Sequence, residues 1–422
     1  MARPPSSPPP SSPPPSDPPK PAGSRSRSSS RRRKKKPAAV VTPPPAPAQP
    51  VRPEPPFEIF LSGTPGLEDV LAAEAQALGF ADAVAVPGGV TLQGGWPDVW
   101  RLNLWCRGAT RVLVRLAEFR VLHLAQLDKR ARRVDWAAVL GRGRAVSVET
   151  TCRKSKVYHA GAATQRIETA MREALGPVES DAAPLQIRAR IDDDLCTLSL
   201  DSSGEPLHRR GTKLAVGKAP MRETLASMFL DQCGHGKDEP VYDPMCGSGT
   251  FVIEAAERAL GLAPGRGRDF AFETLPEFDA EAWSGMLAEG RKARPCALRF
   301  VGSDRDPGAV QMAGGNGERA GVGDVVTILQ RAVSEARPPE GLPGLVMVNP
   351  PYGERIGNKK LLFGLYGALG ETLKTHFSGW RVGLVTTDTG LARATGLPWL
   401  PPGPPVPHGG LKIRLFRTDP LP

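Results

Sequence analysis

A four-residue apolar run, Leu345 to Val348, stops at Asn349-Pro350-Pro351-Tyr352. Two prolines cannot extend a hydrogen-bonded ladder, so the run reads as a short buried strand closed by a stiff turn. A polar amide and an aromatic ring therefore stand at a strand's carboxyl end, where open α/β sheets hold their ligands. One chemistry uses that set well. The exocyclic amine of a nucleobase or amide is a poor nucleophile, because its lone pair is delocalised into the attached π system. The side-chain oxygen of Asn349 and the carbonyl of Pro350 can each accept one of its N–H bonds. Those bonds strengthen as the nitrogen gains positive charge. Tyr352 can stack on the flat group and fix its orientation. The plainer alternative is a surface Pro-Pro turn after a core strand, and the rest of the chain decides between the two.

The neighbouring segments supply a fitting frame. Val241-Tyr242-Asp243-Pro244-Met245-Cys246-Gly247-Ser248-Gly249-Thr250 reads as strand, glycine-rich loop and the start of a helix running from Phe251 to Leu260. Gly247 and Gly249 let backbone approach a ligand, and the helix N-terminus supplies free N–H groups. No lysine follows the last glycine, so this is not a P-loop, and it is not a clean GxGxxG. Leu298 to Gly302 is a second strand ending at Ser303-Asp304. A carboxylate there can accept both hydroxyls of a ribose, while Asp306-Pro307 reads as the N-cap of a helix from Gly308 to Asn316. Val325 to Leu329, Val382 to Thr386 and Leu411 to Arg417 read as further strands and Leu361 to Phe377 as a helix. Such alternation predicts a parallel, doubly wound sheet.

The first half differs. Strand, helix, strand, helix and strand over Phe57 to Phe119 predict a small α+β sandwich. A second small unit follows, with a helix whose Ile167, Ala170, Met171 and Leu175 face inward and a hairpin around Asp192-Asp193-Asp194. Three acidic residues in a tight turn are read as turn chemistry rather than a metal site. From His208-Arg209-Arg210-Gly211 to Pro220 runs an aperiodic connector whose basic residues could line a substrate or cofactor entry. Pro220 suits the first turn of a helix.

Charge separates these parts. Residues 1–56 are rich in Pro, Ser, Arg and Lys and carry 11 Lys/Arg against Asp17 and Glu54. Such a segment cannot bury enough apolar surface to offset its ordering entropy and is expected to be disordered. It holds most of the chain's net charge of +11. Within the remainder, Arg101 to Arg166 holds 15 Lys/Arg against Glu118, Asp128, Asp135 and Glu149, on an otherwise acidic body. A basic segment of that kind is the footprint of phosphate-backbone docking. The six cysteines are scattered without a CxxC pair, which argues against a zinc site or a disulfide framework. No run of about 18 apolar residues spans a membrane. The N-terminus has no apolar signal segment, so a cytosolic location is expected.

Taken together, residues 241–260, Gly302-Ser303-Asp304 and Asn349 to Arg355 resemble a class I S-adenosylmethionine-dependent methyltransferase. Leu207 to Gly211 with Ala219-Pro220-Met221-Arg222-Glu223-Thr224-Leu225 is similar to the THUMP-containing RNA guanine-N2 methyltransferases, in particular bacterial enzymes acting on 23S ribosomal RNA. The resemblance covers about 57 to 422. It implies a ferredoxin-like domain at 57–120, an RNA-docking THUMP domain at 121–206 and a Rossmann-like catalytic domain at 207–422. It implies that Asp243, Gly247, Gly249, Thr250 and Asp304 hold S-adenosylmethionine and that Asn349, Pro350 and Tyr352 hold the target base. No metal is implied. Ala332 departs from the family, which commonly has an acidic residue there against the adenine amine. Gln330, Ser334 or a backbone carbonyl would have to substitute, or the cofactor binds more weakly. The implied reaction is attack by guanine N2 on the sulfonium methyl after the base leaves its stack. A tRNA guanine, adenine N6, protein glutamine and a vestigial RNA-binding assembly factor stay open as alternatives.

Overall fold

The computed structural model describes residues 56–179, 183–213, 221–236, 238–352 and 359–422. Nearly all of the basic tail, most of the connector with Ala219 and Pro220, and Gly353-Glu354-Arg355 lie outside the described residues. Two sheets organise the described chain. The first comprises β1 (Phe57–Ser62), β2 (Val84–Val86), β3 (Gly89–Gly94), β4 (Arg111–Arg120), β5 (Val146–Arg153), β6 (Leu185–Asp192) and β7 (Leu195–Asp201). Their spatial order is β2-β3-β1-β4-β7-β6-β5.

β6 shows why this sheet has two unlike faces. Leu185, Ile187, Ala189 and Ile191 are buried, while Gln186, Arg188 and Arg190 alternate with them and point the other way. The apolar side packs with helices α1 (Glu68–Ala77), α2 (Trp96–Trp105), α3 (Leu124–Ala131), α4 (Trp136–Leu140) and α5 (Ala160–Leu175). Ile167, Ala170, Met171 and Leu175 of α5 are buried as expected. The two small units expected from the sequence share this one sheet, because β4 pairs antiparallel with β7 from Leu113↔Asp201 to Arg120↔Leu195.

The second sheet comprises β8 (Val241–Asp243), β9 (Phe300–Asp304), β10 (Val326–Gln330), β11 (Leu345–Val348), β12 (Arg381–Thr386), β13 (Val406–His408) and β14 (Leu411–Arg417), in the order β10-β9-β8-β11-β12-β14-β13. Strands β10 to β12 are parallel along that order, and β14 and β13 close the edge antiparallel. All four residues of β11 are buried, the continuous apolar pattern of a central parallel strand. Helices α6 (Glu223–Gln232), α7 (Thr250–Leu260), α8 (Ala280–Arg291), α9 (Pro307–Ala320), α10 (Lys359–His376) and α11 (Thr389–Ala394) complete it. The doubly wound sheet is therefore present. Helix α6 begins at Glu223, with extended backbone at Arg222, so the described helix starts after the proline-led turn expected at Pro220.

Sheet order fixes where a ligand can sit. The chain runs outward from β8 through β9 to β10, then returns to the other side of β8 at β11. Connections leaving β8 and β11 diverge, which opens a crevice beyond their carboxyl ends.

A buried charge cluster joins the two halves. Glu254 and Glu257 on α7 are almost fully buried. Arg107, on the loop after α2, binds Glu254 at 2.8 Å, and its other nitrogen donates to the Leu262 carbonyl. Arg210 binds Glu254 and reaches Glu257 at 3.2 Å, and Arg266 binds Glu257 at 2.7 Å. Of the connector arginines, Arg210 is 4% exposed and bound in this cluster, and with Lys213 and Thr250 it lines a pocket of only about 20 Å³. Burial pushes the Glu254 carboxyl up, but Arg210, Arg107 and Arg258 overcome it and hold it below the ordinary carboxylate range.

Arg210→Met strands those carboxylates with fewer cations. It is expected to cost about 3 kcal/mol in guanidinium denaturation. A loss below about 1 kcal/mol would show that the cluster does not hold the halves together.

Candidate functional site

The crevice is built first from the turn after β8. Asp243 ends the strand, and its Oδ1 accepts the Met245 N–H at 3.0 Å. The Cys246 N–H donates to the Ser303 carbonyl at 3.0 Å, which ties the loop to β9. Gly249 caps α7 with φ +81°, a conformation that strains any L side chain, and a Cβ there would stand 3.2 Å from Ala313 and Ile253. Gly247, φ +54°, faces open space instead. Asn316 Nδ2 donates to the Ser248 carbonyl at 3.1 Å and holds the loop from α9. Lys213 Nζ donates to Thr250 Oγ1 and the Met221 carbonyl, both at 2.9 Å, and pairs with Glu223 at 3.1 Å.

Asp304 ends β9 beside this loop. Its Oδ2 accepts the Gly247 N–H at 3.1 Å and its Oδ1 the Asp306 N–H at 3.0 Å. A carboxylate has about four acceptor positions, so two stay available for a vicinal diol. Asp306 takes the capping role expected of it, accepting the Gly308 N–H at 2.9 Å ahead of Pro307.

Across the crevice, β11 delivers Asn349. Its Oδ1 is buried and has no hydrogen-bond partner among the described residues. A buried acceptor left unsatisfied costs free energy unless a ligand supplies the donor. The Pro351 carbonyl lies 3.4 Å from the Tyr366 hydroxyl, which also stands 3.2 Å from Thr386 Oγ1, so α10 and β12 brace the turn. Tyr352 is half-buried and packs against both apolar clusters of the core.

Between these elements lies a cavity of about 600 Å³, walled by Pro244, Met245, Asp304, Ala332, Val333 and Pro351 and by the first turns of α10. That size suits a nucleoside-bearing ligand. Ala332 and Val333 give the β10 end an apolar wall, while Gln330 and Ser334 are exposed and outside the lining. The Glu335 carboxylate accepts the Ala332 N–H at 3.3 Å. Asp304 and Pro351 thus share one cavity. Thr250 lines a separate pocket of about 20 Å³ with Lys213 and Glu223.

Electrostatics in the crevice are set by burial. Asp243 is pushed up to about 8, chiefly by desolvation, with the Met245 N–H opposing and Asp304 adding to the rise. Burial, Asp243 and Asp304 raise the Cys246 thiol, which keeps it protonated and unreactive.

Sequence reasoning missed Asn316 and Tyr366, while Lys213 is one of the connector's basic residues expected to line an entry, and it reaches Thr250 at the start of α7. Asn316 and Tyr366 carried a signal, as polar groups at inward helix positions.

Three family models match the chain. An RlmL ferredoxin-like domain matches residues 58–113, a THUMP domain 123–201 and an RMKL-like methyltransferase domain 210–397. The chain is 32% identical over 378 residues to a Methylococcus capsulatus protein named ribosomal RNA large subunit methyltransferase K/L, covering 86% of this chain and 51% of the relative. It therefore spans about half the length of that relative. A Synechocystis sp. protein with an RNA methyltransferase name is 31% identical over 84% of this chain and 94% of its own length. Among solved structures, SMU.472 complexed with SAH is similar, with a TM-score of 0.80 and 27% identity over 87% of this chain and 99% of that one. A Listeria monocytogenes protein described as a predicted N6-adenine-specific DNA methylase aligns with a TM-score of 0.78 and 28% identity, over 86% of this chain and 96% of its own.

Asp243 binds a proton more tightly folded than unfolded, so its contribution is full below its ordinary value of 3.8 and is lost as pH rises through about 8. The ligand-free protein should lose stability in urea between pH 5 and pH 8, and Asp243→Asn should flatten that loss. Equal pH dependence in both proteins would contradict the assigned cause.

Proposed function

The chain belongs to the THUMP-domain RNA methyltransferases with an RMKL-like catalytic domain, and on that premise we propose that it methylates the exocyclic N2 of a guanine in 23S ribosomal RNA, using S-adenosylmethionine. The ferredoxin-like part is taken as 57–120, the THUMP part as 121–206 and the catalytic part as 207–422. A ribosomal substrate puts its work in the cytoplasm. The observation that carries this reading is the buried Oδ1 of Asn349 at the carboxyl end of β11, which has no hydrogen-bond partner among the described residues.

Asp243, Gly247, Gly249, Thr250 and Asp304 hold the cofactor. Asp304 offers its two remaining acceptor positions to ribose hydroxyls, and Gly247 has the open space in which backbone meets a ligand. Bound there, S-adenosylmethionine supplies a methyl group made electrophilic by its sulfonium. The chain's own part is to prepare the amine. Asn349 Oδ1 accepts one N–H of the base and binds it more tightly as positive charge develops, which lowers the barrier rather than merely the ground state. The Pro350 carbonyl accepts the other N–H, and Tyr352 lies against the base plane. No strong base is required, because the amine becomes acidic only once methylated. Ala332 and Val333 offer contact to a flat ring but no carboxylate, so this end holds adenine by shape.

Adenine N6 is the second reading, favoured by the name of the Listeria relative and by the fit of the same acceptor to any exocyclic amine. Radiolabelled methyl transfer to separate unmodified 23S RNA, 16S RNA, tRNA, DNA and protein pools, followed by nucleoside analysis, separates them. Label in N2-methylguanosine from 23S RNA is expected. Label in N6-methyladenosine, in tRNA or in protein would overturn the substrate.

Asn349→Ala should lower the transfer rate about 100-fold, with S-adenosylhomocysteine affinity changed less than about twofold. Equal loss of both would remove Asn349 from the reacting group.

A further inference from the structure

The polar face of the first sheet carries a feature that methyl transfer does not use. Residues 154–159 join β5, which ends at Arg153, to α5, and the β6–β7 hairpin clips them in place. Asp193 and Asp194 form its two-residue turn with φ of 51° and 62°. Asp194 Oδ1 accepts the Lys156 N–H at 2.7 Å, and Ser155 Oγ accepts the Asp194 N–H at 3.0 Å. Ser155 also donates to the Arg153 carbonyl at 2.7 Å, which receives the Asp193 N–H at 3.2 Å. The acidic turn therefore does structural work on its neighbour. Lys154 is held at φ 46°, a conformation uncommon for a residue with a side chain.

The clipped loop presents cations and a bare ring. Arg153, Lys154 and Lys156 are exposed, and none has a carboxylate within ion-pair distance among the described residues. Val157 is buried and anchors the loop, while the adjacent Tyr158 is 82% exposed. The chain has four tyrosines, and Tyr242, Tyr352 and Tyr366 are all buried or half-buried, so Tyr158 stands apart. Beside the loop opens a cavity of about 670 Å³ lined by Arg153 and Lys154 with Arg115 and Arg190. Arg115 pairs with Glu58 and Arg190 with Asp192, and Asp193 also lines the cavity, so Arg153, Lys154 and Lys156 outnumber the hairpin's Asp193 and Asp194 by one.

An exposed aromatic ring flanked by unpaired cations matches a strand of unpaired nucleotides, whose bases offer π-faces and whose phosphates lie a residue apart. A closed duplex hides its bases from such a ring. We propose that residues 153–158 clamp single-stranded RNA, with Tyr158 stacked on an unpaired base and Arg153, Lys154 and Lys156 on the adjoining phosphates. Asp194 is a positioning residue for that loop. The inference rests on the RNA reading above and adds which feature of the RNA is docked.

The test uses the full chain, an RNA hairpin with a short unpaired 3′ extension and the same stem closed blunt. Binding is read by fluorescence anisotropy, and S-adenosylhomocysteine binding is measured in the same preparations. Tyr158→Ala should weaken binding of the extended RNA about tenfold and leave the blunt stem unchanged, with Tyr158→Phe restoring it. Lys154→Ala with Lys156→Ala should flatten the salt dependence by roughly 0.7 per cation. Wild-type affinity of Tyr158→Ala for the extended RNA, or failure of phenylalanine to rescue, would overturn the clamp. A chain that binds S-adenosylhomocysteine but neither RNA would overturn the clamp and the RNA substrate together. Tyr158-dependent RNA binding without methyl transfer would keep the clamp and remove only the reaction.

Discussion

Reversal of strand order between β8 and β11 is the constraint on which the catalytic half depends. The residues proposed for the site stand at or just beyond the carboxyl ends of β8, β9 and β11. Diverging connections keep backbone out of the crevice, so the sheet itself makes room for a ligand. The strands are short and buried, which fixes Asp243, Asp304 and Asn349 relative to one another with little freedom. A site built on mobile loops alone would need other means to hold these side chains in register.

Glu254 and Glu257 give that site a second connection. They sit on α7, the helix capped by the cofactor loop, yet their partners Arg107 and Arg210 come from the first half and the connector. Ion pairs buried this deeply are costly to break, because the remaining charge has no water to turn to. The polar face of the first sheet is thereby held at a set distance from the crevice. Under the proposed function, an RNA docked on one would be presented to the other without searching.

How much of this was legible in the sequence depended on range. The turn at Asn349-Pro350-Pro351, the glycine loop and Asp304 were readable, because proline and glycine declare local backbone and the carboxylate follows directly from its strand. The alternation of β6 and the inward stripe of α5 were readable for the same reason. Helix α8 was not, since it buries only Trp283 and Gly290 and shows no apolar stripe. Three-residue strands such as β2 and β13 are too short for any period to register. The shared first sheet rests on β4 meeting β7, a pairing between distant segments that no local pattern announces. The pairing of Arg210 with Glu254 and Glu257 was not legible, because a charge in a sequence does not say which distant carboxylates await it. The aspartate turn was read correctly as a turn, but its grip on residues 153–156 required coordinates.

The central claim is that one cavity beyond the switch point takes a nucleoside whose ribose is held by Asp304. Calorimetric titration of S-adenosylhomocysteine into wild type and Asp304→Ala tests it most directly. Loss of two charge-assisted hydrogen bonds predicts an affinity at least about tenfold weaker in the variant, with the fold retained by circular dichroism. Undiminished binding by a folded Asp304→Ala would place the nucleoside elsewhere and contradict the account.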